Sequence, residues 1–145
     1  MKTVFKATAK SIGGLKVESE ARGFKVYMDE PQELGGENTA MNPVEAVLCA
    51  LGSCQVIVCN AFAQAKGYDI SNIKVELEGD LDPDGFMGLA DVRNGFSEIR
   101  FDMHFTTTES QERCEEFAHF IENTCPVGDC LGNGVKLVLG KVVKE

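Results

Sequence analysis

Apolar and polar positions divide this chain into stretches of different period. From Asn42 to Lys66 it is almost wholly apolar or small, and the centre, Val44 to Ala63, is broken only by Glu45, Gly52, Ser53, Gln55 and Asn60. There is no wide charged face, and a helix that is apolar nearly all round is a buried one. Asn42 reads as the N-cap, Pro43 as the first helical residue and Glu45 as the partner three residues after the cap. Lys66-Gly67 supplies a basic last turn and a residue that tolerates positive φ. About 24 residues make roughly 36 Å of helix at 1.5 Å per residue. That is long enough to cross a bilayer. However, Glu45, Gln55, Asn60 and Gln64 interrupt the run, and no basic flank or second such segment follows. The reading is a long core helix of a soluble domain, with Cys54 near its middle.

Elsewhere the period is two. Thr3 to Lys10, Leu15 to Ser19 and Phe24 to Met28 read as strands of an antiparallel meander, with Gly13-Gly14 as a turn. Ile73 to Leu81 alternates Ile73, Val75 and Leu77 against Lys74, Glu76 and Glu78, as a half-buried strand does. Ile99 to Thr106 and Val135 to Val143 are further strands. Glu109 to Asn123 returns to helical period, with Cys114, Phe117, Ala118 and Ile121 on one side. It ends at Thr124-Cys125-Pro126, because a residue before proline is pushed out of the helical region. Pro126 opens a short second helical turn. Asp29 to Met41 and the Gly-rich Asp82 to Gly95 are loops, and a loop as long as the second usually has a role or is mobile. The order βββ-α-ββ-α-β segregates strands from helices, which makes the class α+β in one domain over residues 1–145. Such a protomer covers its long helix on one side with its own sheet. A second copy about a two-fold axis is the expected cover for the other.

Charge and cysteine usage narrow the function. The 145 residues carry 14 basic and 23 acidic side chains, a net −9, which argues against nucleic-acid and anionic-membrane partners. The N-terminus MKTVFKATAK has no apolar core of a signal peptide. The six cysteines, at 49, 54, 59, 114, 125 and 130, therefore read as reduced thiols of a cytoplasmic protein rather than a disulfide framework.

Cys54 and Cys125 are the two cysteines to weigh for chemistry. Cys54 has Cys49 and Cys59 five residues to either side. Five residues turn a helix through roughly 500°, so the three thiols point apart and form no metal-binding face. Any one of them also reads as a small buried hydrophobe. Cys125, in TCPVGDC, lies where free backbone N–H groups at a helix start favour a thiolate, or where a cysteine simply caps and packs. Its spacing to Cys130 fits neither a redox C-x-x-C nor zinc. Glu45 completes an N-x-x-E capping box. Arg22, the only arginine before residue 93, pairs with Glu45 or sits on the surface. His104 and His119 have no partner at ligand or dyad spacing and read as structural. Asp82-Pro83-Asp84-Gly85 lacks the later ligands of a calcium loop.

Read together, ARGFKV, DEPQELGG, NPVEAVLCALGSC, ELEGDLDPDGFMGL and TCPV resemble the OsmC/Ohr superfamily of osmotically inducible and organic hydroperoxide resistance proteins, in order and over nearly the whole chain. The resemblance implies antiparallel sheets around a long central helix in an intertwined homodimer, with two active sites at the dimer interface. It implies a thiol peroxidase in which Cys54 attacks the peroxide and becomes a sulfenic acid. Cys125 then condenses with it to a disulfide, and an external dithiol reductant resets the pair. Such a bridge needs Cα atoms within about 7 Å. Neither a metal nor an organic cofactor is implied. An apolar pocket built from the long helix and the DPDGFMGL loop would favour an organic hydroperoxide over hydrogen peroxide.

In the organic hydroperoxide branch a glutamate directly follows the Asn-Pro and pairs with an arginine from the early Gly turn. Here Val44 takes that place, Glu45 lies about 100° further round the helix, and the SIGGL turn has no arginine. The chain thus looks like the OsmC-like branch, with Glu45, Arg22 or the helix start at Cys125 left to activate the thiol. The alternative is a small-molecule-binding dimer with little or no peroxidase turnover. A third reading is a structural or regulatory protein with six core cysteines.

Overall fold

The computed structural model describes all residues, Met1–Glu145. They form two compact units, Met1–Cys49 and Ala50–Glu145.

The first unit holds an antiparallel sheet in the order β1 (Thr8–Ser11), β2 (Val17–Ala21) and β3 (Phe24–Met28). β3 spans the predicted residues, whereas β1 takes up only the end of the predicted first strand, and residues 1–7 are irregular. Glu18 in β2 ties the sheet crosswise, 3.3 Å from both Lys10 and Lys25. After β3 the chain makes a closed loop over Asp29–Met41. The Asp29 carboxylate, 2% exposed, accepts bonds from the backbone N–H of Glu30, Glu37 and Thr39 and from the Thr39 hydroxyl. Gly36 is required there, since a Cβ would run into the Glu30 carbonyl.

This loop delivers the start of α1 (Pro43–Phe62). The predicted capping box is present and reciprocal. The Glu45 N–H donates to Asn42 Oδ1 at 2.8 Å, and the Asn42 N–H donates to Glu45 Oε1 at 3.0 Å. Asn42 Nδ2 also reaches Glu30 Oε2 at 3.2 Å, joining loop to helix.

In the second unit α1 ends in tightening turns that close at the predicted glycine. Gly67, at φ +79°, donates to Gln64, and the Tyr68 N–H donates back to the Ala63 carbonyl. This is the two-bond glycine cap that satisfies the last carbonyls of a helix, and its flanking residues Ala63 and Tyr68 are both buried. β4 (Ile70–Leu81) and β5 (Phe96–Thr107) then form a long hairpin. Its register sets Ile73 opposite Phe105, Val75 opposite Met103 and Leu77 opposite Phe101 on one face. The other face carries Glu78 opposite Arg100, whose guanidinium also holds Asp80 and Glu98. Between the strands the predicted loop contains a short helix, α2 (Pro83–Phe86), capped by Asp82.

α3 (Gln111–Thr124) starts at Ser110, which caps the Arg113 N–H. Phe117 and Ile121 on it are fully buried with Val58 and Cys59 of α1, Tyr68 and Ile73. Phe117 stacks on Tyr68 with ring centres 4.4 Å apart. α4 (Pro126–Asn133) follows at once and is longer than the single turn expected.

One expectation is corrected. The last strand, Val135 to Val143, is not paired: residues 134–145 are irregular, with Leu137 and Leu139 more than four-fifths exposed. A strand without a neighbour has no ladder to form. Within one chain α1 is covered on one side only, as expected of such a protomer. Leu51, Gly52, Gln55, Val58 and Cys59 are covered, while Ile57 is 66% exposed.

Candidate active site

Two neighbouring elements of the second unit bring their thiols together. Cys54 lies mid-way along α1 and is half-buried. Cys125 is 2% exposed and forms the joint between two helices. Its N–H donates to Ile121 to end α3, its carbonyl accepts from Asp129 to begin α4, and its Sγ accepts from the Gly128 N–H at 3.3 Å. Pro126 makes the joint sharp. It keeps Cys125 extended at φ −65°, ψ 115°, and opens α4 without needing a donor at its first position. Leu51, one turn before Cys54, packs here as well: a Cβ on Gly128 would lie 3.7 Å from Leu51 Cδ1 and 3.6 Å from Cys125 Sγ.

The Cys125 thiol is held above its ordinary value. Burial is the main cause. A hydrogen bond with Cys54 and the charge of that sulfur act in the same direction, against the Gly128 and Val127 N–H groups. Of the two readings left open for Cys125, a thiolate at the helix start or a cysteine that caps and packs, the structure favours the second. The N–H donors are there, but burial and the second sulfur outweigh them. The balance favours the thiol form of Cys125 beside Cys54. What the arrangement can do chemically is accept one oxidation at an accessible sulfur and close a bond to a second sulfur already beside it.

The other candidates fall elsewhere. Glu45 is engaged in the capping box. Arg22 occupies the β2–β3 turn at φ +54°, its guanidinium 5.3 Å from the Phe24 ring centre. Arg22 and Glu45 form no ion pair with each other. Cys59 is fully buried, and burial raises its thiol. Cys49 and Cys130 are exposed, with Cys49 Sγ 3.7 Å from Met41 Sδ. Cys114, His104 and His119 line a cleft of about 490 Å³ along β5 and α3. His104 and His119 each lie near one glutamate, Glu76 and Glu122, and no three His, Cys, Asp or Glu side chains converge as metal ligands. Phe86, Met87 and Leu89 of the DPDGFMGL loop are exposed at 81, 59 and 69%.

Sequence reasoning treated Gln55 only as a polar interruption of an apolar run. It is 1% exposed, and its Oε1 has no hydrogen-bond partner. The available signal was its position: Gln55 lies one turn after Leu51 and one turn before Cys59, on the most apolar stripe of the helix.

A family model described as OsmC-like protein matches residues 36–140. The chain belongs to the OsmC-like family. A hydroperoxide reductase of Mycoplasma genitalium is 24% identical over 119 residues, which cover 79% of this chain and 77% of that one. The fold is shared with an OsmC-like protein from Mycoplasma pneumoniae, at TM-score 0.76 and 21% identity over 91% of this chain and 89% of that one. It is also shared with an organic hydroperoxide resistance protein OsmC from Legionella pneumophila, at TM-score 0.69 and 22% identity over 89% of each. The α+β architecture of antiparallel sheets and a long helix is thus that of OsmC-like proteins.

Proposed function

We propose that this OsmC-like chain is a cysteine-based reductase of organic hydroperoxides that works as a homodimer in the reducing cytoplasm. The observation that carries the reading is the contact between Cys54 and Cys125, two sulfurs far apart in sequence. The names of its relatives supply the substrate class.

The Cys54 thiolate, on the more accessible sulfur, attacks the terminal oxygen of the hydroperoxide. An S–O bond forms, the O–O bond breaks, and the leaving alkoxide takes the Cys125 proton to depart as an alcohol. The Cys125 thiolate then attacks the Cys54 sulfenic sulfur. The S–S bond forms, hydroxide leaves, and protonation makes it water. A dithiol reductant returns both thiols. As written, the cycle needs no metal or organic cofactor. The open side of α1 and the unpaired Val135 to Val143 support the homodimer, in which a second copy would cover the one and pair with the other.

Trapping the intermediate tests the assignment. In Cys125→Ser, one equivalent of cumene hydroperoxide should leave a Cys54 sulfenic acid that dimedone labels. Loss of two thiols in that variant would defeat the pairing.

The rival reading, a binding dimer without turnover, is favoured by one observation: Glu45 and Arg22 are engaged separately and form no activating pair. It predicts that iodoacetamide alkylates Cys54 at neutral pH no faster than a plain thiol with a pKa of about 8.5. Faster alkylation counts against it.

A further inference from the structure

We infer that Gln55 is a catalytic residue of this site, its side-chain Oε1 accepting a hydrogen bond from the O–H of the oxygen that is transferred to Cys54. The inference rests on the hydroperoxide reading above and names a group that reading does not use.

Three observations lead to it. First, Gln55 is 1% exposed and its Oε1 is unpartnered. A buried carbonyl oxygen with nothing to accept is unusual, because leaving it unpaired forfeits the bond it had with water. Second, its position is chemical rather than arbitrary. It follows Cys54 directly and lies one turn along α1 from Leu51, whose side chain reaches Gly128 beside the Cys125 sulfur. Third, the charged side chains nearest in expectation are committed elsewhere, Glu45 to the Asn42 cap and Arg22 to Phe24.

An amide oxygen only accepts. What it can bind is therefore a donor, and the reaction presents one at each stage. In R–O–O–H the terminal oxygen carries the hydrogen. When the Cys54 sulfur attacks that oxygen, the O–O bond breaks and the O–H persists as the hydroxyl of Cys54–S–OH. A fixed acceptor can hold this hydrogen from reactant to intermediate and orient the oxygen toward the sulfur. When Cys125 displaces it, hydroxide leaves and the acceptor is free again. The site is thereby selective for hydroperoxides, which carry the O–H, over dialkyl peroxides, which do not.

The test compares the full-length chain with Gln55→Met and Gln55→Leu, which keep bulk and remove the acceptor. Three quantities are read: the single-turnover rate of thiol loss with cumene hydroperoxide, the rate of Cys54 alkylation by iodoacetamide, and the thermal midpoint. We expect the peroxide rate to fall about tenfold, the equivalent of one hydrogen bond in the transition state. Alkylation, which transfers no O–H group, should stay within about twofold, since the lost contact is absent from that reaction. The thermal midpoint should hold or rise, because an unpaired buried polar group has been removed. An unchanged peroxide rate overturns the inference. So does an equal fall of both rates, or a fall in midpoint, which would mark Gln55 as packing alone. A wild-type chain inert to cumene hydroperoxide removes the reductase reading and this one together. A reactive wild type with an equally reactive Gln55→Met removes only this one.

Discussion

Asp29 accepts four hydrogen bonds from residues within ten positions of itself, and these fix the loop that presents Asn42 to the helix. The Thr39 hydroxyl is the largest cause of its depressed pKa. Burial opposes, the Glu30, Thr39 and Glu37 N–H groups add to the hydroxyl, and the carboxyl is held at about 2 against an ordinary 3.8. A carboxyl depressed in the folded state stabilises that state above its unfolded value, and the contribution is lost as it gains a proton in the fold. Between pH 3.8 and about 2, stability should therefore fall as pH falls. In Asp29→Asn that component should vanish, leaving a less stable protein at neutral pH with a flatter acid limb. Urea midpoints of both proteins across this range check it. Equal slopes would mean that the loop does not depend on the charge.

Among the elements, α1 is explained at both ends by short-range chemistry, Asn42 with Glu45 at one and Gly67 at the other. Both ends were legible because caps are local. The β4–β5 face was legible for the same kind of reason: alternation fixes which side chains share a side. Val135 to Val143 was legible as a strand by composition, yet it is unpaired in one chain. Periodicity reports the capacity to form a ladder and not where the neighbouring strand lies. If that neighbour belongs to a second copy, light scattering on the full chain gives twice 15.7 kDa, while residues 1–133 alone give monomer. A full chain that scatters as a monomer would leave the segment without a partner of this kind.

At the scale of the molecule, fold and chemistry reached the sequence by different routes. The two thiols were singled out by the family resemblance, Cys54 in NPVEAVLCALGSC and Cys125 in TCPV. Their approach was implied by that resemblance and by no spacing, since it depends on how α1 packs against the α3–α4 joint. The same packing decided between the two readings left open for Cys125, because burial is a tertiary property that spacing does not carry. Gln55 was overlooked because its significance lies in an absent partner. The account turns on the pair of sulfurs, so the most direct measurement is peptide mapping by mass spectrometry after one equivalent of cumene hydroperoxide acts on the reduced wild-type chain. The account predicts a single new disulfide joining the Cys54 and Cys125 peptides. A bridge between any other two of the six cysteines, or full oxidation of Cys54 with Cys125 still a free thiol, would contradict it.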